Sequence, residues 1–343
     1  MQPARYPGDR PVTEPPEGHV AVVIPHYTRE AGILTRTLRH VFAQRNAPPV
    51  HVILVDDESP ISAASEVLPL TEQERAAITI IRRPNGGTAK ARNTGMAAVS
   101  DRAGFIALLD CDDMWREDHL SNAVAAMDLG CEFFFANNRR ENAASDWFAL
   151  CEFSGLDHTV IDEQRALYRV RGDLFGTILV KAPICGSTVV MRHDKFGSFR
   201  FEEDMGTCDD LYFWLEVVRC TDKIGFSPNE HTIMGDAINQ SVIDHWRSAK
   251  ALRLVYGGLM FAVKVRQTFS LTPEQTRIVD AIIRANREGF LKTAFSLVIR
   301  GIRFDYSSVH QCVRSDPGIW RALPAMIARF LVRPFRAHVR SEN

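Results

Sequence analysis

The chain has 343 residues, 45% of them hydrophobic and 24% charged, with a formal net charge of −1. That balance excludes a disordered chain and allows a sizeable core, enough for one large α/β domain with an extension. Its seven cysteines are odd in number and never at CxxC spacing, so they form neither a disulfide framework nor a thiolate zinc site and fit a reducing cytosol.

Met1 to Gly18 is polar and proline-rich and reads as a loose tail without the apolar stretch of a signal peptide. His19 to Pro25 and Val50 to Val55 are short β-branched runs closed by polar residues, the pattern of buried parallel strands. Between them Leu34, Leu38, Val41 and Phe42 follow the helical period, with Thr28 or Arg29 beginning the turn into that helix. Thr71 to Glu74 forms a capping-box pattern ahead of a strand at Ile78 to Arg82. Asn85-Gly86-Gly87 is a turn, Thr88 is positioned to cap a helix from Ala89 to Val99, and Gly104 to Leu109 is a fourth strand.

A helix from Asp118 to Leu129 and a strand from Glu132 to Ala136 come next, after which periodicity weakens through Asn142 to Arg171. A strand at Ser187 to Arg192 and a helix at Asp209 to Arg219 restore it, with Leu211, Leu215 and Val218 as one apolar stripe. From Asp244 the pattern is helical, including a helix from Pro273 capped by Thr272 in a Thr-Pro-Glu-Gln box. No run of about 18 apolar residues marks a spanning helix.

The charge is uneven: Arg284 to Asn343 carries eleven Lys/Arg against four Asp/Glu. Its segments Phe290 to Phe304 and Ile319 to Phe335 mix Phe, Trp, Ile and Leu with arginines. They read either as helices lying on an anionic membrane or as a helical subdomain with a solvated Arg face. No aromatic-and-basic RNA motif accompanies the charge, so a nucleic-acid partner is not expected.

Asp110, Asp112 and Asp113 crowd together where the fourth strand ends, at the edge where α/β sheets bind ligands. Carboxylates so close repel unless a cation joins them, and Mg²⁺ or Mn²⁺ suits oxygen ligands supplemented by substrate phosphates. The competing reading is a loop with an N-cap Asp before the next helix. Asp56-Asp57 ends the second strand at the same rim, where Asp57 can accept hydrogen bonds from a base or ribose and Asp56 can form an Asx-turn. Arg92 stands in the first turns of the helix after Gly86-Gly87, able to reach back to that rim or to lie on the surface.

Five segments, HVAVVIPHYTRE, VILVDDES, NGGTAKARNTG, LLDCDD and DDLYFWLEV, resemble glycosyltransferase family 2 in order and spacing over His19 to Ser241. The resemblance implies a GT-A fold, a mostly parallel nucleotide-binding sheet flanked by helices, and inverting transfer from a UDP-sugar. It implies that Pro25, Tyr27 and Glu30 line the base pocket, that Asp57 and Arg92 contact the nucleoside, that Asp110 touches ribose and that Asp112 holds the metal. Asp210 is then the catalytic base, with Asp209 in place of the family's Glu. The family's Tyr-Arg-x-His segment is here Met234-Gly235-Asp236-Ala237, ahead of Asn239-Gln240-Ser241, so its basic diphosphate contact is absent.

His231 is open to two readings, a metal or phosphate ligand or a hydrogen-bonded structural residue. Trp214 is likewise an acceptor-stacking ring or a core residue. Within the family, HYTREAGIL and VFAQ are similar to bacterial exopolysaccharide transferases of the succinoglycan glucosyltransferase kind, which implies a saccharide or lipid-linked saccharide acceptor. It also implies a cytoplasmic location, with contact to the inner face of the plasma membrane through the C-terminal helices.

The expected organisation is a tail (1–18), a nucleotide-sugar-binding half (19–137), an acceptor-binding half (138–243) and a basic helical extension (244–343). A nucleotidyltransferase would instead open with a basic Gly-rich loop after the first strand, and a haloacid-dehalogenase phosphatase would carry its Asp motif there. A non-catalytic carbohydrate-binding protein of the same fold would not need Asp210 beside the DxD sequence.

Overall fold

The computed structural model describes residues 14–154, 157–205, 207–235, 249–302, 314 and 316–320. The chain opens with β1 (His19–His26), α1 (Ile33–Phe42), β2 (Val50–Asp56), α2 (Ala63–Glu66), α3 (Glu72–Ala76), β3 (Ile78–Arg82), α4 (Thr88–Ala97) and β4 (Ala103–Leu108). It continues with β5 (Met114–Trp115), α5 (His119–Asp128), β6 (Phe133–Arg140), α6 (Trp147–Cys151), β7 (Thr159–Asp162), β8 (Leu167–Arg169) and α7 (Leu174–Val180). A tight helical turn at Gly186–Thr188 leads into β9 (Val190–Arg192), α8 (His193–Phe196), α9 (Asp209–Cys220) and β10 (Ile224–Met234). Two long helices follow, α10 (Ala249–Thr268) and α11 (Pro273–Ile299).

The chain divides into two compact units. The first runs to Glu203 and resumes at Asp209. The second joins Asp204–Cys208 to the helices α10 and α11.

Among the described residues ten strands make one sheet in the order β3-β2-β1-β4-β9-β6-β10-β8-β7, with β5 paired to β10. Strands β3, β2, β1 and β4 are parallel, so their carboxyl ends share one rim. The chain order reverses between β1 and β4, the switch point at which open α/β sheets bind ligands. Antiparallel β9 bridges β4 to β6, and β6 runs parallel to β10, so strands from both expected halves share this sheet.

Apolar runs buried on both faces explain the parallel strands: Val20 to Ile24 and Val52 to Val55 are almost wholly removed from water. Each Val, Leu or Ile side chain so buried contributes about 1.5–3 kcal/mol of transfer free energy. Leu34, Leu38 and Val41 of α1 pack on one face with Val20, Val22 and Ile24.

Several local expectations are corrected. The turn expected from Thr28 or Arg29 does lead into α1, which itself starts at Ile33, with Thr28 held by Ser59 and Glu30 in that loop. Its cap comes from a distant group: the buried Glu66 carboxylate accepts from Gly32 N (2.9 and 3.0 Å) and Thr35 N (3.2 Å). Thr88 is the first residue of α4, and Gly87 takes the cap position.

Of the expected Ser187 to Arg192 strand only Val190–Arg192 pairs as β9, after an extended Val189, because Ser187 and Thr188 are coiled into the tight turn. Helix α9 buries Tyr212, Phe213, Trp214, Leu215 and Val217, so it is covered on more than the one stripe of Leu211, Leu215 and Val218. The weakly patterned middle holds α6 and the β7–β8 hairpin.

The capping box of α3 forms as expected through Thr71 and Glu74, and that of α11 through Thr272 and Gln275. Asp236 to Ser241 and nearly all of Ile319 to Phe335 lie outside the described residues.

Candidate active site

The acidic loop is built from the end of β4. Leu109 N bonds Val23 O (3.1 Å), which keeps the chain beside β1 for one residue beyond the strand, and the loop then turns as Asp113 N meets Asp110 O (3.2 Å). Three neighbours fix it. Asp110 N donates to Ser187 Oγ (3.0 Å), Thr37 Oγ1 donates to Cys111 O (2.9 Å), and Gly235 N donates to Asp113 Oδ1 (2.9 Å). A Cβ on Gly235 would collide with the Asp112 carbonyl, so the end of β10 lies against the loop only because residue 235 is glycine. Ser187 also accepts through its carbonyl from Trp115 Nε1 (2.6 Å) and Thr232 Oγ1 (3.2 Å), which joins the tight turn to β5 and β10.

Arg92 projects from α4 into this loop and is 7% exposed. Its Nη2 donates to Asp110 Oδ1 at 2.6 Å, and Nη1 lies 4.0 Å from Asp209 Oδ2 at the start of α9. The Phe201 ring covers the guanidinium at 5.2 Å. Burial alone would lower the Arg92 pKa, but the charges of Asp110, Asp209 and Asp210 outweigh it and raise it. Burial pushes Asp209 up to about 6 and raises Asp210, against the opposing pull of Arg92. Asp210 Oδ1 also accepts from Leu211 N (2.8 Å), a helix-start contact.

Asp113 is 2% exposed, and burial together with Asp110 and Asp112 raises it to about 8. Its Oδ2 is buried without a hydrogen-bond donor. An orphaned carboxylate oxygen among three acidic residues suits a cation. Among the described residues no group of three or more His, Cys, Asp or Glu side chains forms a cage for one. The loop therefore fits an ion that takes few protein carboxylates and completes its shell with phosphate oxygens, as Mg²⁺ and Mn²⁺ do.

Asp57 is buried and accepts from Gly86 N (3.1 and 3.2 Å) and Gly87 N (2.8 Å), with Arg83 Nε at 3.5 Å. Its carboxylate thus ties the glycine turn to the rim. Asp56 accepts from Ser59 N and Ala63 N, a local turn role. Tyr27 is half-buried and Glu30 exposed at the rim, whereas Pro25 is buried within β1.

Trp214 is fully buried among Phe133, Phe201 and Phe213, which places it in the core, out of reach of an acceptor sugar. Both ring nitrogens of buried His231 are engaged, Nδ1 with Asp118 Oδ1 (3.2 Å) and Nε2 with Ser227 Oγ (3.0 Å), so neither is open to a metal.

The sequence reading missed Ser187, Gly235, Phe201 and Asn93. Asn93 lies inside the NGGTAKARNTG segment and could have been found there. Phe201 carries no local signal.

The glycosyl transferase family 2 description matches residues 21–195. The chain belongs to that family. Over 225 residues this glycosyltransferase is 50% identical to the succinoglycan biosynthesis protein ExoW of Rhizobium meliloti (strain 1021), covering 64% of this chain and 70% of that one. It is 25% identical over 244 residues to the putative teichuronic acid biosynthesis glycosyltransferase TuaG of Bacillus subtilis (strain 168), covering 69% and 86%.

Two solved structures share its fold at 15% identity. S. aureus TarS 1-349 in complex with UDP-GlcNAc has a TM-score of 0.55 and covers 91% of this chain and 83% of its own. The mannosyltransferase PcManGT from Pyrobaculum calidifontis, in complex with GDP-Man and Mn²⁺, has a TM-score of 0.53 and covers 93% and 86%. The glycosyltransferase has the GT-A fold.

Proposed function

We propose that this glycosyltransferase moves a hexose from a UDP-sugar, with inversion, to a saccharide or lipid-linked saccharide during assembly of a bacterial surface or exopolysaccharide. One observation carries the reading: Arg92 bonds Asp110 of the acidic loop and stands 4.0 Å from Asp209, so the loop and the carboxylate pair of α9 meet at one guanidinium. The names of ExoW and TuaG support the polysaccharide setting, and the nucleotide sugars bound to TarS and PcManGT support the donor class.

Tyr27 and Glu30 flank the base at the open part of the rim, beside Pro25. Asp57 holds the glycine turn and, with about four lone-pair sites on its carboxylate, has capacity for one more donor from the nucleoside. Asp110 receives the ribose and is oriented by Arg92. Asp112 holds Mn²⁺ or Mg²⁺, which when bound supplies positive charge to the departing diphosphate.

Asp210 accepts the proton of the acceptor hydroxyl as that oxygen attacks the anomeric carbon from the face opposite the nucleotide. Its raised pKa makes it a stronger base than an exposed aspartate. Asp209 shares the Arg92 charge and adjusts that basicity. No carboxylate nucleophile is required, since the nucleotide is already the activated leaving group.

At the end of α11 the apolar side chains Phe295, Val298 and Ile299 are exposed, with Ile302 and Trp320 nearby in sequence or in the same unit, and Arg300 among them. This supports contact with an anionic membrane, which would bring a cytoplasmic enzyme to lipid-linked acceptors. Among the described residues no helix is long and apolar enough to cross one.

The test is to incubate the purified full chain and Mn²⁺ with a panel of UDP-sugars, with GDP-mannose as comparison, and measure nucleotide release with and without lipid-linked saccharides. Release of UDP from one donor is expected. No release from any donor under either condition would reject the proposal.

A further inference from the structure

Arg92 and Asn93 are consecutive on α4, so their side chains leave the helix in different directions. Arg92 goes to Asp110, whereas Asn93 turns to the segment ahead of α9 and forms a two-point bond with one residue of it. Phe201 N donates to Asn93 Oδ1 at 2.7 Å, and Asn93 Nδ2 donates back to Phe201 O at 2.8 Å. Nδ2 also donates to Glu203 Oε1 at 2.9 Å. The amide uses its acceptor and both donors, and with oxygen and nitrogen exchanged every one of these contacts would pair like with like.

The residue so gripped is wedged between two parts of the site. One side of Phe201 faces the Arg92 guanidinium at 5.2 Å, and the ring stacks on Phe213 at 4.2 Å and 15°. Phe213 is three residues beyond Asp210 on α9, hence on a neighbouring face of the helix. The ring therefore spaces α4 from α9. It also closes Arg92 off from water, where its attraction for the facing carboxylates Asp110, Asp209 and Asp210 is strongest.

We propose that Asn93 is a positioning residue for the transfer reaction, latching Phe201 so that Arg92 is held between Asp110 and the Asp209-Asp210 pair. The proposal rests on the assignment of that pair to base catalysis made above. Asn93 touches no substrate; it acts through Phe201 and Arg92. Releasing the latch lets water reach the guanidinium and weakens its hold on the pair, so both carboxylates become harder to ionise.

The experiment compares full-length Asn93→Leu, Asn93→Gln and Phe201→Leu with the unaltered chain, using Mn²⁺ and the active UDP-sugar. Asn93→Leu removes all three bonds at similar volume, Asn93→Gln keeps the amide, and Phe201→Leu keeps the latch while removing the ring. Asn93→Leu and Phe201→Leu should each lower kcat by about 10- to 100-fold, with donor KM within about threefold, because misplacement of catalytic groups acts on the chemical step.

Both should also move the acid limb of the kcat profile upward by about half a pH unit, and Asn93→Gln should recover part of each effect. A folded Asn93→Leu chain with unchanged kcat and acid limb overturns the proposal, as does a loss that only follows the folded fraction. If Asn93→Leu does not fold, Phe201→Leu decides by the same two measures.

A readout without turnover separates this proposal from the assignment of the base. The slope of the unfolding midpoint against pH, across the range where Asp209 titrates, should change in Asn93→Leu and Phe201→Leu, neither of which adds a titratable group. An unchanged slope in both overturns the latch, whether or not Asp210 proves to be the base. Full turnover by Asp210→Asn, with the slope altered in both latch variants, overturns only the base assignment.

Discussion

Arg92 Nη2 donates to Asp110 Oδ1 across 2.6 Å, and the arginine side chain is 8% exposed while the aspartate is 36% exposed. A buried cation is thus matched to an anion that still reaches water. Arg92→Met should cost about 2–3 kcal/mol, less than a wholly buried pair because Asp110 can rehydrate. Denaturant unfolding measures it. The same variant should raise the acid limb of activity, since Asp209 and Asp210 lose the charge that opposes their burial.

Asp112 and Asp210 are expected to fail differently. Asp112→Ala should abolish metal-dependent UDP binding in calorimetry. Asp210→Asn should bind UDP as before and lose about 10²- to 10⁴-fold in transfer, the range for a removed general base. Full activity of Asp210→Asn would make the base assignment wrong.

Gly235→Ala places a methyl group against the Asp112 carbonyl. The loop must shift, at about 1–3 kcal/mol, the usual cost of overpacking. Metal-dependent UDP binding should weaken in this variant even though no carboxylate has been altered. Unchanged affinity would show that the loop position is not set by β10.

Two sets of buried groups oppose each other as the solution is acidified: the raised carboxyls Asp113 and Asp209 gain stability on taking up protons, whereas the buried histidines lose it. His51 is buried on β2 with Nε2 on Thr79 Oγ1 (2.9 Å), and burial lowers its pKa from 6.5 to about 4. His19 is lowered by burial too, and His119, whose ring nitrogens have no partner, far more so. Between the unfolded and folded values the unfolded chain holds the extra proton, so the histidine contribution is complete above about pH 6.5 and declines toward the folded pKa. For His51 the loss is about 1–2 kcal/mol after allowance for solvent screening. His51→Gln, which can still bond Thr79, should remove the His51 share of the pH dependence of the unfolding midpoint between pH 6.5 and 4.

Val298→Glu with Ile299→Glu places two charges where apolar side chains now face solvent. Flotation with anionic liposomes should fall at least about fivefold in this variant, since each buried apolar side chain contributes over 1 kcal/mol. Flotation equal to that of the unaltered chain would remove the membrane part of the proposal.

Much of the fold was legible because its signals are local. The β-branched runs of β1, β2 and β3, and the boxes at Thr71 and Thr272, are decided by neighbours a few residues away. Leu211 and Val218 were misplaced because α9 is covered by aromatic residues from several segments, which one helical period does not encode. The β7–β8 hairpin escaped because its outer strand is largely exposed and lacks an apolar face.

In the site, the order of the aspartates was legible. Their partners were not, because contacts such as Asp57 to Gly87, Arg92 to Asp110 and Asn93 to Phe201 join residues distant in sequence.

The carboxylate of Glu66 that caps α1 belongs to the segment after β2, more than thirty residues away from Gly32 in the chain. A ribosome that has released only β1 and α1 therefore displays a helix whose first amides have no acceptor. The first two strand–helix pairs should become resistant to proteases together, and only in nascent chains long enough to expose Glu66.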